Sequence, residues 1–364
     1  LSKDFEYLLW EHPHYFQKYN YNKKKLMLHR SSMKYYEDYL KTHGFKVKYC
    51  EFKTKPKYKD AYMFDCIDKI EIDDVLQVLE TPAFLLTKEQ YAEYKEKKKE
   101  IYMFHWFYMW GKELVDIIPK IKSKDKENRK KLPKGIKIPP IPSNKSDKHY
   151  IDEARKYVDK HFKKNYGNTE KFVFPVTHAS VHKWYDDFIK KRFKQFGTYQ
   201  DAIDKDNDFL FHSYMASSMN CGLLTPREVI DKIRKLEKKI PINSYEGYIR
   251  QLFWREYQRY CYIYFDFTKK NYFGNKKKLG KEWYTGNVGS EPVDDCIKKA
   301  FNQGYLNHIQ RLMIMGNYMN LSGIDPWEAL RWFIEFSCDS YEWVMYQNVL
   351  DMAFCVSGGR TGGG

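Results

Sequence analysis

One break in pattern constrains this chain more than any other feature. Between Lys120 and Lys148 the sequence turns to Lys, Pro and Ser, in the run KSKDKENRKKLPKGIKIPPIPSNKSDKH, where Pro133, Pro139, Pro140 and Pro142 preclude a continuous helix. Before the break, short strands alternate with helices. After it, the text is almost all helical. The expectation is an α/β domain over residues 1–119, a basic Pro-rich linker over 120–149 and an all-α domain over 150–364. No internal repeat is visible.

In the first part, residues 5–10 read as a strand. Residues 21–43 read as a helix with Leu26, Met27 and Leu40 on its apolar side, stopped by Gly44. Residues 45–50 alternate with period two, as a strand does. Leu76 to Leu79 and Phe84 to Leu86 are further strand candidates, followed by a helix from Thr87 to about Lys99. The series predicts a small parallel layer, Rossmann-like in outline and incomplete, because the stretch around Asp74 is short for a full strand–helix–strand unit. In the second part, helices are expected over 153–164, 181–196, 246–265 and 293–321. Two more open on the caps Thr225-Pro226-Arg227-Glu228 and Asp325-Pro326-Trp327-Glu328 and run to about Lys239 and Ser337.

The formal net charge of +16 runs through patterned segments rather than tails, which points to a polyanionic partner on a folded basic surface. Lysines that only solubilise are the alternative reading. A hydrophobic fraction of 43% supports a sizeable core and excludes general disorder. The longest strongly apolar stretch, 101–110, contains His105 and is far short of the roughly 20 residues a membrane-spanning helix needs. No signal peptide opens the chain; the start at Leu1 and the ending GGRTGGG read as a fragment. That ending also lacks the GK[ST] close of a P-loop. Seven Cys, none in a C-x-x-C pair, argue against a disulfide framework and a zinc ribbon, and for a reducing intracellular compartment, the cytoplasm or wherever the genome resides.

Four segments carry chemistry. In residues 249–260, apolar positions 249, 252, 253, 257 and 260 give a helix one buried face, beside a stripe of Gln251, Trp254, Arg255 and Gln258. Arg255 there can hold a phosphate and Trp254 can stack on a ring system; a core helix with an internal Arg–Glu pair is equally compatible with the spacing. In residues 304–313, His308 and Arg311 are spaced i, i+3 to face one side, where a His can exchange a proton near neutral pH or simply be structural. Asp339 and Glu342 are carboxylates in an aromatic context and need partners, a helix cap being the plain alternative. In residues 211–226, His212, Ser213 and later hydroxylated residues precede a helix start and can offer donors to phosphate oxygens.

Taken in order, the stretches KKKLMLHRSSMKYY, ENRKKLPKGIKIPPIP, FGTYQDAI, FHSYMASSMNCGLLTP, NSYEGYIRQLFWREY, PVDDCIKKAFNQGYLNHIQRLMIMGNYM and DSYEWVMYQNV resemble the photolyase/cryptochrome family. The resemblance is to its bacterial-type deoxyribodipyrimidine photolyase-related branch, which includes prokaryotic (6-4) photolyases, and it spans about residues 5–360. It implies an α/β antenna-type domain followed by a helical FAD-binding domain. It implies that His212 and Ser213 lie beside the flavin's phosphate–ribose portion and that Arg255 holds the diphosphate. Arg311 and Asp339 would lie against the isoalloxazine ring, with Met345 near flavin N5, a position that is polar in many relatives. Gln251 and Trp254 would face the extruded lesion, His308 would be the proton-exchanging histidine of (6-4) enzymes, and Trp332 would start an electron-transfer chain. Tyr284 and Phe333 stand where iron–sulfur members carry Trp and Tyr.

The activity implied is that of a DNA photolyase, a carbon–carbon lyase of (6-4) type acting on UV-damaged DNA under blue light, as a monomer and without a membrane. A blue-light photoreceptor of cryptochrome type is the alternative, and a DNA-binding remnant without flavin a third reading. Iron–sulfur members place a cluster Cys where Pro292 stands here, and Cys296 is one helical turn away, so no cluster and no other metal is expected. Tyr15 replaces a Glu of the lumazine-antenna branch, which leaves the second chromophore open.

Overall fold

A computed structural model describes residues 1–98 and 103–361. Lys99, at the end of one expected helix, the first residues of the apolar stretch 101–110 and the last three glycines fall outside the described residues. Strand β1 (Glu6–Trp10) leads through helix α1 (Lys23–Thr42) to β2 (Lys46–Cys50), which lies parallel to β1 with Glu6 opposite Lys46. Asn22 caps α1 by accepting the Lys24 N–H, and Gly44, at φ +80°, follows its end as expected.

Strand β3 (Ala61–Phe64) pairs in parallel with β4 (Val75–Leu79) as a separate two-stranded sheet. No helix joins them: residues 65–74 make the crossing with Ile67 and Asp74 at positive φ. The layer is thus small and parallel, as expected, but split in two. The second pair exposes Tyr62 and Phe64 on β3 and Leu76 and Val78 on β4.

Helices α2 (Lys88–Lys98) and α3 (Phe104–Leu114) follow. The Pro-rich stretch then holds only two 3-10 turns, Asp125–Glu127 and Lys145–Asp147, and its Leu132, Ile136 and Ile138 pack on a small cluster of Ala202, Leu210 and Phe211. The helical part contributes α4 (Lys148–His161), α5 (His178–Lys191), α6 (Ala216–Asn220), α7 (Pro226–Arg234), α8 (Ile242–Tyr264), α9 (Glu282–Thr285), α10 (Glu291–Gln303), α11 (Pro326–Phe336) and α12 (Glu342–Gln347). Thr225 and Glu228 form the reciprocal capping box that opens α7, and Asp325 caps α11.

Three expectations need correction. Residues 84–86 are not a strand; the N–H groups of Leu85 and Leu86 donate to the Glu256 carboxylate at 2.9 and 3.1 Å rather than to a neighbouring strand. The helix expected over 293–321 is broken at Gly304, whose φ of +67° closes α10, and resumes at His308 with a π-helical stretch, Gln310–Gly316. Helix α8 has far more than one buried face: Glu246, Arg250, Arg255, Glu256, Gln258 and Arg259 are buried beside its apolar positions.

The buried charges on α8 reach distant parts of the chain. Glu246 accepts from the Tyr108 hydroxyl and the Lys124 N–H, and Arg250 pairs with Asp125 at 3.0 Å. Glu256 also accepts from the Tyr91 hydroxyl, and Arg259 bonds Asp65 and Glu80 at 2.9 and 2.7 Å. Helix α8 is the axle onto which the strand-containing part is pinned. A single apolar core, running from Phe16 to Val356, takes in residues from both sides of the Pro-rich stretch.

Helix α1 is held the same way. Its Lys24 and Lys25 are buried, Lys24 Nζ bonding Asn168 and the Glu170 carbonyl, and Lys25 Nζ bonding the carbonyls of Ile334 and Ser340. His29 Nε2 sits 2.9 Å from the Tyr341 hydroxyl. Burial first, and then the nearby Lys25 charge, lowers the His29 pKa to about 3. Its stabilisation is therefore present above the unfolded value of about 6.5 and is lost as pH falls toward 3. Urea unfolding is expected to show the wild type losing roughly 2 kcal/mol more than His29→Gln between about pH 6 and 4.5. Equal losses would mean that His29 protonates freely in the fold.

Candidate functional site

Three of the singled-out side chains, Arg255, Asp339 and Arg311, are joined by one hydrogen-bonded chain. It starts at Arg255 on α8, whose Nε donates to Asn220 Oδ1 at 3.1 Å. Asn220, the last residue of α6, donates through Nδ2 to the Asp339 carbonyl at 2.8 Å. The Asp339 carboxylate pairs with Arg311 at 2.9 Å and accepts from Ser337 Oγ at 2.5 Å. Arg311 Nε in turn donates to the Leu306 carbonyl at 2.7 Å. The π-helical stretch carries Arg311, and the turn between α11 and α12 carries Asp339, so two irregular pieces of backbone meet the end of a short helix.

Arg255 has no ion-pair carboxylate among the described residues. Its guanidinium lies against the rings of Phe84 (4.2 Å) and Trp343 (5.0 Å), one amino group reaches the Ala83 carbonyl at 2.5 Å, and the other, Nη2, is buried with no partner. Burial is the main cause that lowers its pKa to about 10. Other buried donors flank the same chain without acceptors: Ser217 and Ser218 Oγ on α6, Tyr214 OH just before it, Asn307 Nδ2 beside Arg311 and Ser340 Oγ beside Asp339. Orphaned donors of this kind are costly unless an acceptor-rich group meets them, and a diphosphate with a polar ring system is such a group. The site fits it.

His308 begins the helix that contains Arg311. Its side chain is exposed to solvent. Burial, then the charges of Arg311 and His212, lowers its pKa to about 4, with Asp125 opposing and Arg250 adding. His212 is thus brought near His308; its Nε2 contacts the Gln200 carbonyl at 2.9 Å, and burial lowers its pKa as well. Ser213 is half-buried next to it.

Gln251 and Trp254 form the half-exposed edge of α8. Trp254 stacks on Phe104 of α3 with centroids 3.6 Å apart and planes 8° from parallel. Met345 is buried on α12, which packs against α8. Trp332 is fully buried on α11 and donates its indole N–H to the Trp283 carbonyl at 2.8 Å. Trp332 and Met345 therefore lie in the core, away from solvent. Asn220 and Ser337, which complete the chain, were visible only as polar residues in quoted segments; nothing in their spacing singled them out.

All seven cysteines are free. Among the described residues no group of three or more His, Cys, Asp or Glu could hold a metal ion, and no helix is long and apolar enough to cross a membrane.

The family profile described as deoxyribodipyrimidine photo-lyase-related protein matches residues 2–76 and 63–174, two stretches that overlap where β3 and β4 meet without a helix. A (6-4) photolyase from Agrobacterium fabrum is 35% identical over 243 residues, covering 65% of this chain and 48% of that protein, so the chain spans about half its length. The uncharacterized protein R853 of Acanthamoeba polyphaga mimivirus is 53% identical over 110 residues, 29% of this chain and 85% of that one. The fold is similar to a bacterial class III photolyase from Agrobacterium tumefaciens, at a TM-score of 0.59 and 14% identity over 94% of this chain and 72% of that one. It is also similar to a Synechocystis cryptochrome, at 0.54 and 12% over 96% and 76%. Sequence motifs, profile and fold converge, and the chain belongs to the photolyase/cryptochrome family.

Proposed function

We propose that this chain binds FAD and repairs (6-4) pyrimidine photoproducts in DNA under light. The observation that carries the reading is the hydrogen-bonded chain Arg255–Asn220–Asp339–Arg311, flanked by buried donors that lack acceptors. In this reading the division into residues 1–119, 120–149 and 150–364 separates an antenna-type domain, a linker and the flavin-binding domain. Bound and reduced, the flavin would supply a light-driven electron for the lesion.

The residues of the chain do the rest. Arg255 holds the diphosphate through its free amino group. Ser213, Ser217 and Ser218 offer hydroxyl donors nearby, and His212 closes that side. Arg311 and Asp339 present a fixed cation–anion pair to the ring system, and Met345 excludes water from beside it. Gln251 and Trp254 form the half-exposed edge on which an extruded pyrimidine pair can stack. The lysine-rich surface holds the DNA backbone.

His308 is the proton donor and acceptor. With a pKa of about 4 it is neutral at pH 7, so it needs the negative charge of a bound phosphate backbone to be protonated there. His308→Asn is expected to retain flavin absorbance but to slow (6-4) repair by roughly 100-fold, the low end of general acid–base contributions. Unchanged repair would remove the proton role. Light-dependent loss of the flavin band with no lesion turnover in the wild type would favour the photoreceptor reading, which the fold similarity to a cryptochrome keeps in play.

A further inference from the structure

We propose that the turn over residues 271–274, in the lysine-rich loop between α8 and α9, is a contact site for unpaired DNA: Tyr272 and Phe273 stack on bases, and the flanking lysines hold phosphates. The choice of DNA as the polyanion rests on the reading above; the geometry of the turn depends on neither flavin nor lesion. Residues 267–281, FTKKNYFGNKKKLGK, hold six lysines and no carboxylate. Lys270 is half-buried, 5.7 Å from the centre of the Phe265 ring, and the others are exposed. Of the six, only Lys278 has a carboxylate within ion-pair distance among the described residues, Glu328 at 3.2 Å. Uncompensated positive charge of this density is what a phosphate backbone neutralises.

Lysines alone also serve solubility, and the two rings separate the readings. The Gly274 N–H donates to the Asn271 carbonyl at 3.0 Å, which closes a four-residue turn with Tyr272 and Phe273 at its corners. Asn at the first position and Gly at the last are what such a turn prefers, but nothing in the turn itself calls for large apolar rings at the corners. Tyr272 is 70% exposed and Phe273 57%, and the rings meet edge-on with centroids 5.2 Å apart. The chain keeps two aromatic surfaces in water where small polar residues would close the turn equally well.

The turn is pinned on several sides. Asn271 Nδ2 donates to the Asn275 carbonyl at 2.8 Å, and Asn275 Nδ2 donates to the Asn320 carbonyl at 3.0 Å. The Tyr272 N–H donates to the Val356 carbonyl at 3.1 Å, and the Lys277 N–H to the Gly323 carbonyl at 3.0 Å. The Tyr272 ring lies beside Gly358, where a Cβ would stand 3.3 Å from Cδ2. A backbone already ordered in this way lowers the entropy cost of binding. Aromatic faces on a positively charged surface are the means by which proteins hold single strands without sequence preference. A paired duplex hides its base faces in the stack, so only unpaired nucleotides can meet these rings. Two rings are also a small apolar area for a membrane surface, which is bound through the whole apolar face of a helix or through a lipid chain.

Fluorescence anisotropy of the full chain in the dark, with undamaged labelled oligothymidylate of about 12 nucleotides, tests this. An abasic strand and a duplex of the same length are the controls. Tyr272→Ser and Phe273→Ser are each expected to weaken oligothymidylate binding by roughly 5- to 150-fold, with the salt dependence and the affinities for both controls unchanged. Lys269→Gln and Lys276→Gln are each expected to lower the slope of log affinity against log salt by about 0.7. All four variants should unfold in urea as the wild type does, because the substituted side chains are exposed. Unchanged oligothymidylate affinity in the double variant Tyr272→Ser/Phe273→Ser, or an equal loss on the abasic strand, would overturn the proposal. So would ring-dependent binding to vesicles of phosphatidylserine and phosphatidylcholine without ring-dependent binding to DNA, which would assign the turn to a membrane surface. Ring-dependent oligothymidylate binding by a chain that takes up no FAD and repairs no lesion would fail the functional reading alone. Light-driven (6-4) repair by a chain whose single-strand binding ignores Tyr272 and Phe273 would fail this proposal alone.

Discussion

Asp339→Ala is expected to cost the flavin-free chain about 3–5 kcal/mol in urea unfolding, the usual loss when one partner of a buried ion pair is removed. The reason lies in what is left behind. Arg311 and Asp339 have side chains only 11% and 14% exposed, so the carboxylate that balances the guanidinium has no ready replacement in water. Arg311 would keep its bonds to the Leu306 carbonyl and Ser337, but both partners are neutral. Asn220 binds the backbone carbonyl of Asp339, so that link to Arg255 survives the substitution and the loss can be assigned to the ion pair. Arg311→Met should cost a similar amount, and the double variant should recover most of it, because two apolar groups leave no buried charge. A loss below about 1 kcal/mol would show that the pair is effectively solvated.

What could be read in the sequence follows from how local the cause is. The caps at Thr225 and Asp325, the stop at Gly44 and the strands β1 and β2 are set by residues within a few positions of each other, and the fold has them where the spacing predicts. Residues 84–86 have the composition of a strand; only Glu256, more than 170 positions away, turns them into a buried loop. The burial of Lys25 in α1 is equally non-local, because nothing nearby in sequence tells of the carbonyls of Ile334 and Ser340 that receive it. The same holds at the site. Arg255, Arg311 and Asp339 were legible as residue types suited to phosphate and flavin, and through the family resemblance. Their junction through Asn220 and Ser337 depends on three distant segments meeting, which no periodicity encodes.

Arg255→Met is expected to do the opposite of Asp339→Ala: leave the flavin-free chain within about 1 kcal/mol of wild type and weaken flavin binding by roughly 30- to 4000-fold, the equivalent of about 2–5 kcal/mol. In the free chain the Arg255 charge already stands at a disadvantage. It is buried against Phe84 and Trp343, no carboxylate among the described residues pairs with it, and its Nη2 donor is idle. The lowered pKa, about 10, expresses the same penalty. A methionine of similar length can pack against the two rings, and the losses are one bond to the Ala83 carbonyl and one to Asn220, set against the relief of a desolvated cation. A diphosphate would supply the missing counter-charge, so its affinity should carry most of what Arg255 contributes. Arg255→Lys should fall between the two, since an ammonium keeps the charge but lacks the planar fork. Fluorescence titration with FAD beside urea unfolding of the same variants decides the matter. Loss of stability with unchanged affinity would make Arg255 a core residue and move the diphosphate elsewhere; loss of affinity with unchanged stability would identify a cation held in readiness for an anion.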